Sequence, residues 1–349
     1  MSQARTLNPA PRWILFLAVA VAGLLYVKWL PYWDRAFTAA AHHSIGSSIL
    51  MGKAAHAPAA SWGAALAYAE AYGKAIWKAL VLGLALGSGV QALLPADWVA
   101  RWLGRTRFGS AVTGGLLALP GMMCTCCAAP MVVGLRRAKA SAGGAIAFWL
   151  GNTVLNPATL VFTGFVLGWR WTALRLVLGV LMVFGLGWLA NRMSSPGEAA
   201  TAETVVPDIA AAPPEAPLRR WLTILARMTV QLVPEYAILV LLLGAARAWL
   251  FPVIGPDIGN HIQWIAAFAI AGALFVIPTA GEVPIIQAML SLGMGAGPAG
   301  ALLMTLPPIS LPSMAMVAPA FSPRILGAVA LGVVLFGLAA GALAVMLGF

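Results

Sequence analysis

Cys124, Cys126 and Cys127 are the only cysteines in a chain of 349 residues. All three lie in "LPGMMCTCCAAP", residues 119–130, with apolar sequence on both sides. Thiolates are soft ligands suited to thiophilic metals and metalloids. Two or three of them converging on one centre form a reversible docking point, so all three are candidate metal(loid) contacts. An odd, tightly spaced set is not a disulfide framework. A single free cysteine is often just a small buried hydrophobe, but three in one helix break favour a functional role. Pro120, Gly121 and Pro130 force that break. Inside hydrocarbon, a broken backbone is tolerated only where protein or a water-filled cavity receives its freed groups. The cysteines are therefore expected to line a cavity.

A second break, "IPTAGEVP", carries Glu282 in an otherwise uncharged apolar run. An ionisable group at membrane depth is a functional candidate by default, here to carry a coupling proton or hold a cation. Thr279 is its expected neighbour and a candidate substrate contact. Asn152 and Asn156, four residues apart ahead of Pro157, share a face if the helix persists. Ser310 and Ser313 occupy the matching place later in the chain. These residues suit substrate contact and interhelical hydrogen bonding equally. Glu235, after Pro234, is a weaker candidate for proton relay. His42, His43, His56 and His261 read as solvated loop residues. Gly83-x-x-x-Gly87 and Gly337-x-x-x-Gly341 allow close helix packing.

The elements that must position these residues belong to a membrane protein. The chain is 61% hydrophobic and 9% charged, against about 25% charged in soluble domains. Apolar runs fall at about 13–30, 75–94, 108–135, 143–168, 172–190, 228–250, 262–292, 299–321 and 325–347, and their length suits a bilayer. No period-two alternation suggests a barrel. The net charge of +11 comes mostly from residues between the runs, where they orient helices. No basic surface interleaved with polar and aromatic residues supports nucleic-acid binding. The first run follows Arg5 and Arg12 and reads as an uncleaved helix.

Four regions follow: 1–74, an N-terminal helix and outside loop; 75–192, a first permease repeat; 193–220, a cytoplasmic Ala/Pro-rich linker that cannot bury a core; and 221–349, a second repeat. "CTCCAAPMVVGL" aligns with "PTAGEVPIIQAM" when Pro130 is set on Pro284, and "LGVLMVFGLGWL" from Leu178 aligns with "LGVVLFGLAAGAL" from Leu331. Repeats of broken helices are how many secondary transporters are built. If 108–135 and 262–292 are re-entrant hairpins, Arg136, Arg137, Lys139, Arg192, Arg219, Arg220 and Arg227 move inside while Arg170, Arg175 and Arg247 leave it. That arrangement satisfies the positive-inside rule better than nine crossings, and it makes the halves inverted. The expected fold is all-α and polytopic: two inverted repeats with discontinuous helices and re-entrant hairpins, plus an extra N-terminal helix.

The sequence resembles the bacterial predicted permease family that includes the ArsP-type organoarsenical efflux permeases. Members typically carry P-x-C-S-C-G-x-x-P-L, then G-x-P-x-x-N-P-like and P-T-x-G-E-x-P-like stretches. Here the first reads Cys124-Thr125-Cys126-Cys127-Ala128-Ala129-Pro130-Met131, the second Gly151 to Pro157 as "GNTVLNP", and the third Pro278 to Pro284 as "PTAGEVP". The likeness covers roughly 75–192 and 228–349. It implies a cytoplasmic-membrane permease, and for ArsP-type members export of trivalent organoarsenicals with paired cysteines contacting arsenic. That role transfers to Cys124 and Cys126. Cys127 stands where the family usually has glycine, and "PGMMC" is two residues longer than P-x-C.

The reading is a secondary transporter, not an enzyme, in the bacterial inner membrane, exporting a thiophilic substrate through a thiol cluster. Its partners are the lipid bilayer and a small-molecule or metal(loid) substrate, with assembly as a homodimer allowed. No cofactor is called for, and no P-loop is present. Two alternatives stand beside it: a membrane thiol–disulfide electron carrier, and a permease for another small anion or solute.

Overall fold

Prolines and glycines cut the long apolar runs into half-length helices, and the course of the chain follows from those cuts. A computed structural model describes residues 10–51, 57–104, 108–194, 217–251 and 254–349. Most of the 193–220 linker, together with His56, lies outside the described residues. Among the described residues all regular structure is helical. In order these helices are α1 (Ala10–Leu24), α2 (Leu30–His42), α3 (Trp62–Leu93), α4 (Ala96–Leu103), α5 (Phe108–Ala118), α6 (Thr125–Arg137), α7 (Ala142–Val154) and α8 (Pro157–Val166). After them come α9 (Trp169–Met193), α10 (Pro217–Leu250), α11 (Ile262–Leu274), α12 (Glu282–Ser291), α13 (Ala296–Thr305), α14 (Leu311–Val317) and α15 (Pro323–Met346). Six stretches are long and apolar enough to cross a membrane: Trp13–His42, Trp62–Leu93, Ala142–Val166, Trp169–Met193, Leu218–Leu250 and Pro323–Met346. The chain is a multi-pass membrane protein.

Two boundaries differ from the sequence reading. Residues 31–42, expected in a loop, continue the first helix. A π turn at Leu25–Trp29 joins α1 to α2, with the Leu30 N–H donating to Leu25 O. Pro31 falls in the first turn of α2, and the wider turn accommodates its missing donor. The next helix starts at Trp62 rather than 75, because Ser61 caps it by accepting from the Ala64 N–H at 3.1 Å. A side-chain cap of this kind satisfies one of the first-turn donors.

The α5–α6 and α11–α12 segments, expected as re-entrant hairpins, each bring their two ends together. Ser141, after α6, donates its N–H to Leu103 O, before α5, at 2.7 Å. The Ser141 and Ser110 hydroxyls are 2.9 Å apart. The α5–α6 segment therefore returns to the end of the bundle it left. The α11–α12 segment does likewise: Gly295 N–H donates to Ile258 O at 2.8 Å, and Gly297 N–H to Asn260 Oδ1 at 2.8 Å. An 11-residue helix such as α5 rises about 16 Å, half of a hydrocarbon core of roughly 30 Å.

The two segments depart from opposite ends of the α3–α10 pair. Near one end of α3, Trp221 of α10 donates to Ala85 O at 3.0 Å; near the other, Arg247 reaches Ala64 O at 3.3 Å. Helices α3 and α10 therefore run antiparallel. The first hairpin follows the C-terminal end of α3 and the second follows the C-terminal end of α10. In a background without the native cysteines, a membrane-impermeant maleimide added outside is expected to label Ser291→Cys and leave Arg137→Cys untouched. Labelling of both from one side would remove the hairpins.

Candidate functional site

The three thiols meet because of helix-start geometry. Cys124 is the residue before the first turn of α6, with extended backbone (φ −76°, ψ 167°). Cys126 and Cys127 stand in that first turn. A side chain in the capping position folds back over the second and third helical residues, so C-x-C-C at a helix start brings all three sulfurs together. Cys124 Sγ lies 3.0 Å from Cys126 Sγ and 2.8 Å from Cys127 Sγ. Cys126 and Cys127 Sγ are 3.8 Å apart. Cys127, the departure from the family pattern, belongs to the same cluster. The turn before α6 passes through Met122 in the left-handed region (φ 47°). Trp149 pins it by donating Nε1–H to Thr125 O at 3.0 Å. Inside α6, Pro130 has no N–H for the carbonyl four residues back, that of Cys126.

The second break faces the first. Its tip also turns through the left-handed region, at Ala280 (φ 65°), and α12 then begins at Glu282. Helix α3 holds both tips. Tyr68 donates its hydroxyl to Val276 O in the second break. One turn later the Tyr72 hydroxyl sits 3.1 Å from Cys126 Sγ in the first. The two rings stack with centroids 5.9 Å apart, and Tyr236 of α10 donates its hydroxyl to that of Tyr72 at 2.5 Å.

Between the breaks lies a cavity of about 540 Å³ whose lining includes Cys124, Thr279, Pro278, Lys28 and Tyr32. Cys126 and Cys127 are fully buried behind Cys124. Lys28, from the π turn, donates to Thr279 Oγ1 at 3.2 Å and to the Tyr32 hydroxyl at 3.3 Å. Beyond Cys124 the space narrows to a void of about 10 Å³ reaching Thr153, Thr159, Glu282 and Pro307.

Glu282 is buried and paired. Its Oε1 accepts from Arg175 Nη1 at 2.7 Å, with both side chains shielded from solvent. Arg175, in α9, also donates to Val154 O at 3.1 Å and Thr153 O at 2.8 Å, where α7 ends. One guanidinium thus ties the second break to the end of α7 in the first half.

The remaining candidates make local hydrogen bonds, while Asn152 Oδ1 and Asn156 Nδ2 are buried without a hydrogen-bond partner among the described residues. Asn156 caps α8 by accepting from the Ala158 and Thr159 N–H groups. Ser310 caps α14 in a reciprocal box with Ser313. Asn152 donates to Phe148 O at 2.9 Å. None of these three lines the cavity. Glu235 is exposed on α10, away from it. His43 Nδ1 lies 2.7 Å from Phe165 O, so this histidine joins α2 to α8 rather than sitting free in a loop. The sequence reading missed Lys28, Tyr68, Tyr72, Tyr236 and Arg175. Lys28 and Arg175 carried a usable signal, as lone cations within apolar runs. Tyr68 and Tyr72, spaced four apart, stood in a stretch read as loop.

A family model described as "predicted permease" matches residues 61–346. The chain is 48% identical over 349 residues to UPF0718 protein YraQ of Escherichia coli (strain K12), covering 99% of each chain. It is 37% identical over 101 residues to UPF0718 protein MJ0584 of Methanocaldococcus jannaschii, covering 28% of this chain and 27% of that one. No solved structure matches.

Proposed function

The chain belongs to the predicted permease family, and from that premise we propose that it is a secondary transporter of the bacterial inner membrane whose thiophilic substrate docks on Cys124, Cys126 and Cys127. The observation that carries this reading is the convergence of three sulfurs within 3.8 Å at the edge of a solute-sized cavity. Cys124 meets the incoming substrate, with Thr279 beside it. Cys126 and Cys127 stand behind as second and third soft contacts. Trivalent organoarsenicals fit such a donor set, in keeping with the resemblance to ArsP-type permeases.

The two halves act as inverted repeats around this centre, and alternating access moves one hairpin-bearing unit against the other. The Glu282–Arg175 pair closes the far side. A proton taken up by Glu282 weakens that pair and lets the halves separate, which couples transport to proton flow. Asn152, Asn156 and Ser310 hold the breaks in shape. The electron-carrier alternative draws on the short Cys124–Cys127 approach, but the second half has no cysteine to complete a relay between halves.

Transport of methylated trivalent arsenicals, arsenite and soft metal salts by full-length protein in an arsenic-sensitive host tests the reading. Cys124→Ser is expected to cut transport by at least the roughly 10–100-fold that loss of a mere supporting contact to a metal ligand costs. Cys127→Ser is expected to cost less than Cys124→Ser, because Cys127 does not line the cavity. Transport of a soft substrate that survives all three substitutions removes the thiols from the mechanism.

A further inference from the structure

The thiols explain a soft substrate, but they leave Lys28 unexplained. This lysine is 4% exposed on a helix that otherwise lies almost wholly on the outside of the bundle. It projects inward from the π turn between α1 and α2, a feature frequent at functional sites. A cation held at membrane depth is costly and is normally paired. Both hydrogen-bond partners of Lys28, Tyr32 and Thr279, are neutral hydroxyls. Among the described residues, ion pairs within 4.0 Å join only Lys74 to Glu70 and Arg175 to Glu282. Lys28 therefore has no carboxylate within that distance.

The rest of the cavity has the same sign. Arg35, Lys74 and Lys78 also line it, and among the described residues no Asp or Glu does. Lys74 is already engaged by Glu70, which leaves Arg35 and Lys78 nearer the mouth and Lys28 at depth. Cys124 shares this lining and stands at the start of α6, where unpaired amide groups favour negative charge. A neutral trivalent arsenical would answer the thiols and leave the Lys28 charge unanswered. A hard anion would answer Lys28 but present the thiols with no polarisable atom.

We infer that the substrate is a small anion bearing a soft chalcogen atom, a sulfur or selenium oxyanion, with its charge received by Lys28 and its soft atom by Cys124. The binding is noncovalent: the Lys28 ammonium and the Thr279 hydroxyl donate to the oxygens of the anion, and the Cys124 S–H donates to its charged, polarisable chalcogen atom. Lys28 is then a specificity-determining residue supplied by the N-terminal helix, which lies outside the segment matched by the family model. This inference rests on the thiol-docking reading and names the charge of its substrate.

The test follows alkylation of Cys124 by mass spectrometry in the full-length protein in lipid nanodiscs. Iodoacetate and iodoacetamide are nearly the same size and differ in charge. Their rate ratio cancels any change in thiol acidity. Relative to the ratio with a free thiol, the cavity is expected to favour iodoacetate roughly tenfold. Lys28→Met is expected to abolish that preference and Lys28→Arg to keep it. Thiosulfate is expected to slow alkylation of the wild type but not of Lys28→Met, with sulfate at equal ionic strength as the hard-anion control. No preference for iodoacetate, a preference untouched by Lys28→Met, or a Cys124 that neither reagent reaches overturns the inference. Phenylarsine oxide separates it from the reading beneath it. Protection by this neutral arsenical without protection by thiosulfate leaves thiol docking standing and sinks the anion. Protection by neither sinks thiol docking, and the anion with it.

Discussion

Replacing Glu282 with glutamine is expected to destabilise the folded protein by about 3–5 kcal/mol, the cost of breaking one partner out of a buried ion pair. The amide keeps the size of the side chain and removes the charge that Arg175 needs. Arg175 is fully buried and its other partners are two backbone carbonyls, which do not neutralise it. Thermal unfolding in a fixed detergent, followed by tryptophan fluorescence, measures the loss. The double variant Arg175→Met/Glu282→Met is expected to recover most of it, because replacing both charges by apolar groups of similar volume is often neutral or better. That variant then separates packing from coupling. If it is stable yet no longer transports in response to a proton gradient, the pair is the coupling element. If it transports with unchanged proton dependence, Glu282 serves only to hold the halves together. A stable Glu282→Gln variant would show that Arg175 finds its counter-charge elsewhere.

Gly83→Val is expected to be comparably damaging to the site itself. A Cβ at Gly83 would lie 2.0 Å from the backbone oxygen of Cys127, nearer than any side chain can sit. Helix α3 therefore has to move away from the first turn of α6, the turn that gathers the three sulfurs. Forced overpacking of this kind costs typically 1–3 kcal/mol, occasionally more. Cooperative capture of phenylarsine oxide by the thiols reads the geometry directly and is expected to fall more steeply than overall stability. Gly73→Ala, on the same helix with nothing within 4 Å of an added Cβ, is the matched control and is expected to behave as wild type. Equal capture by Gly83→Val and Gly73→Ala would mean that the cluster does not depend on the close α3–α6 approach. The small-residue spacing in the sequence predicted tight packing between membrane helices; its contact with the thiol-bearing turn gives that packing a consequence for the site.

Much of this architecture is written in local chemistry. Three cysteines spaced C-x-C-C after a proline–glycine break converge because a helix start folds its capping side chain over its own first turn, with no distant residue required. The same holds for the two breaks, which follow from Pro120, Gly121, Pro278 and Gly281. The expected hairpin course rests on a different signal: positive charge between apolar runs reports which side of the bilayer each loop occupies. The local rules misplaced the first helix and the start of α3. Pro31 and the polar stretch after it suggested a loop, and neither the π turn that absorbs the proline nor the Ser61 cap stands out in composition.

The partners of the site are a matter of folding in three dimensions. Lys28, Tyr72, Tyr236 and Arg175 come from four different helical segments, all of them outside the two breaks and their flanking motifs. A lone cation in an apolar run announces that something must answer it, but which group does so depends on helix packing. Packing assigns Arg175 to Glu282, 107 residues away, and Lys28 to Thr279, 251 residues away. It likewise makes Asn156 and Ser310 helix caps at matching breaks, a contact that the sequence allowed alongside substrate binding. Most buried charges and hydroxyls satisfy themselves with whatever the fold brings within about 3 Å. Backbone geometry is encoded within a few neighbouring residues, whereas this pairing is encoded across the whole chain.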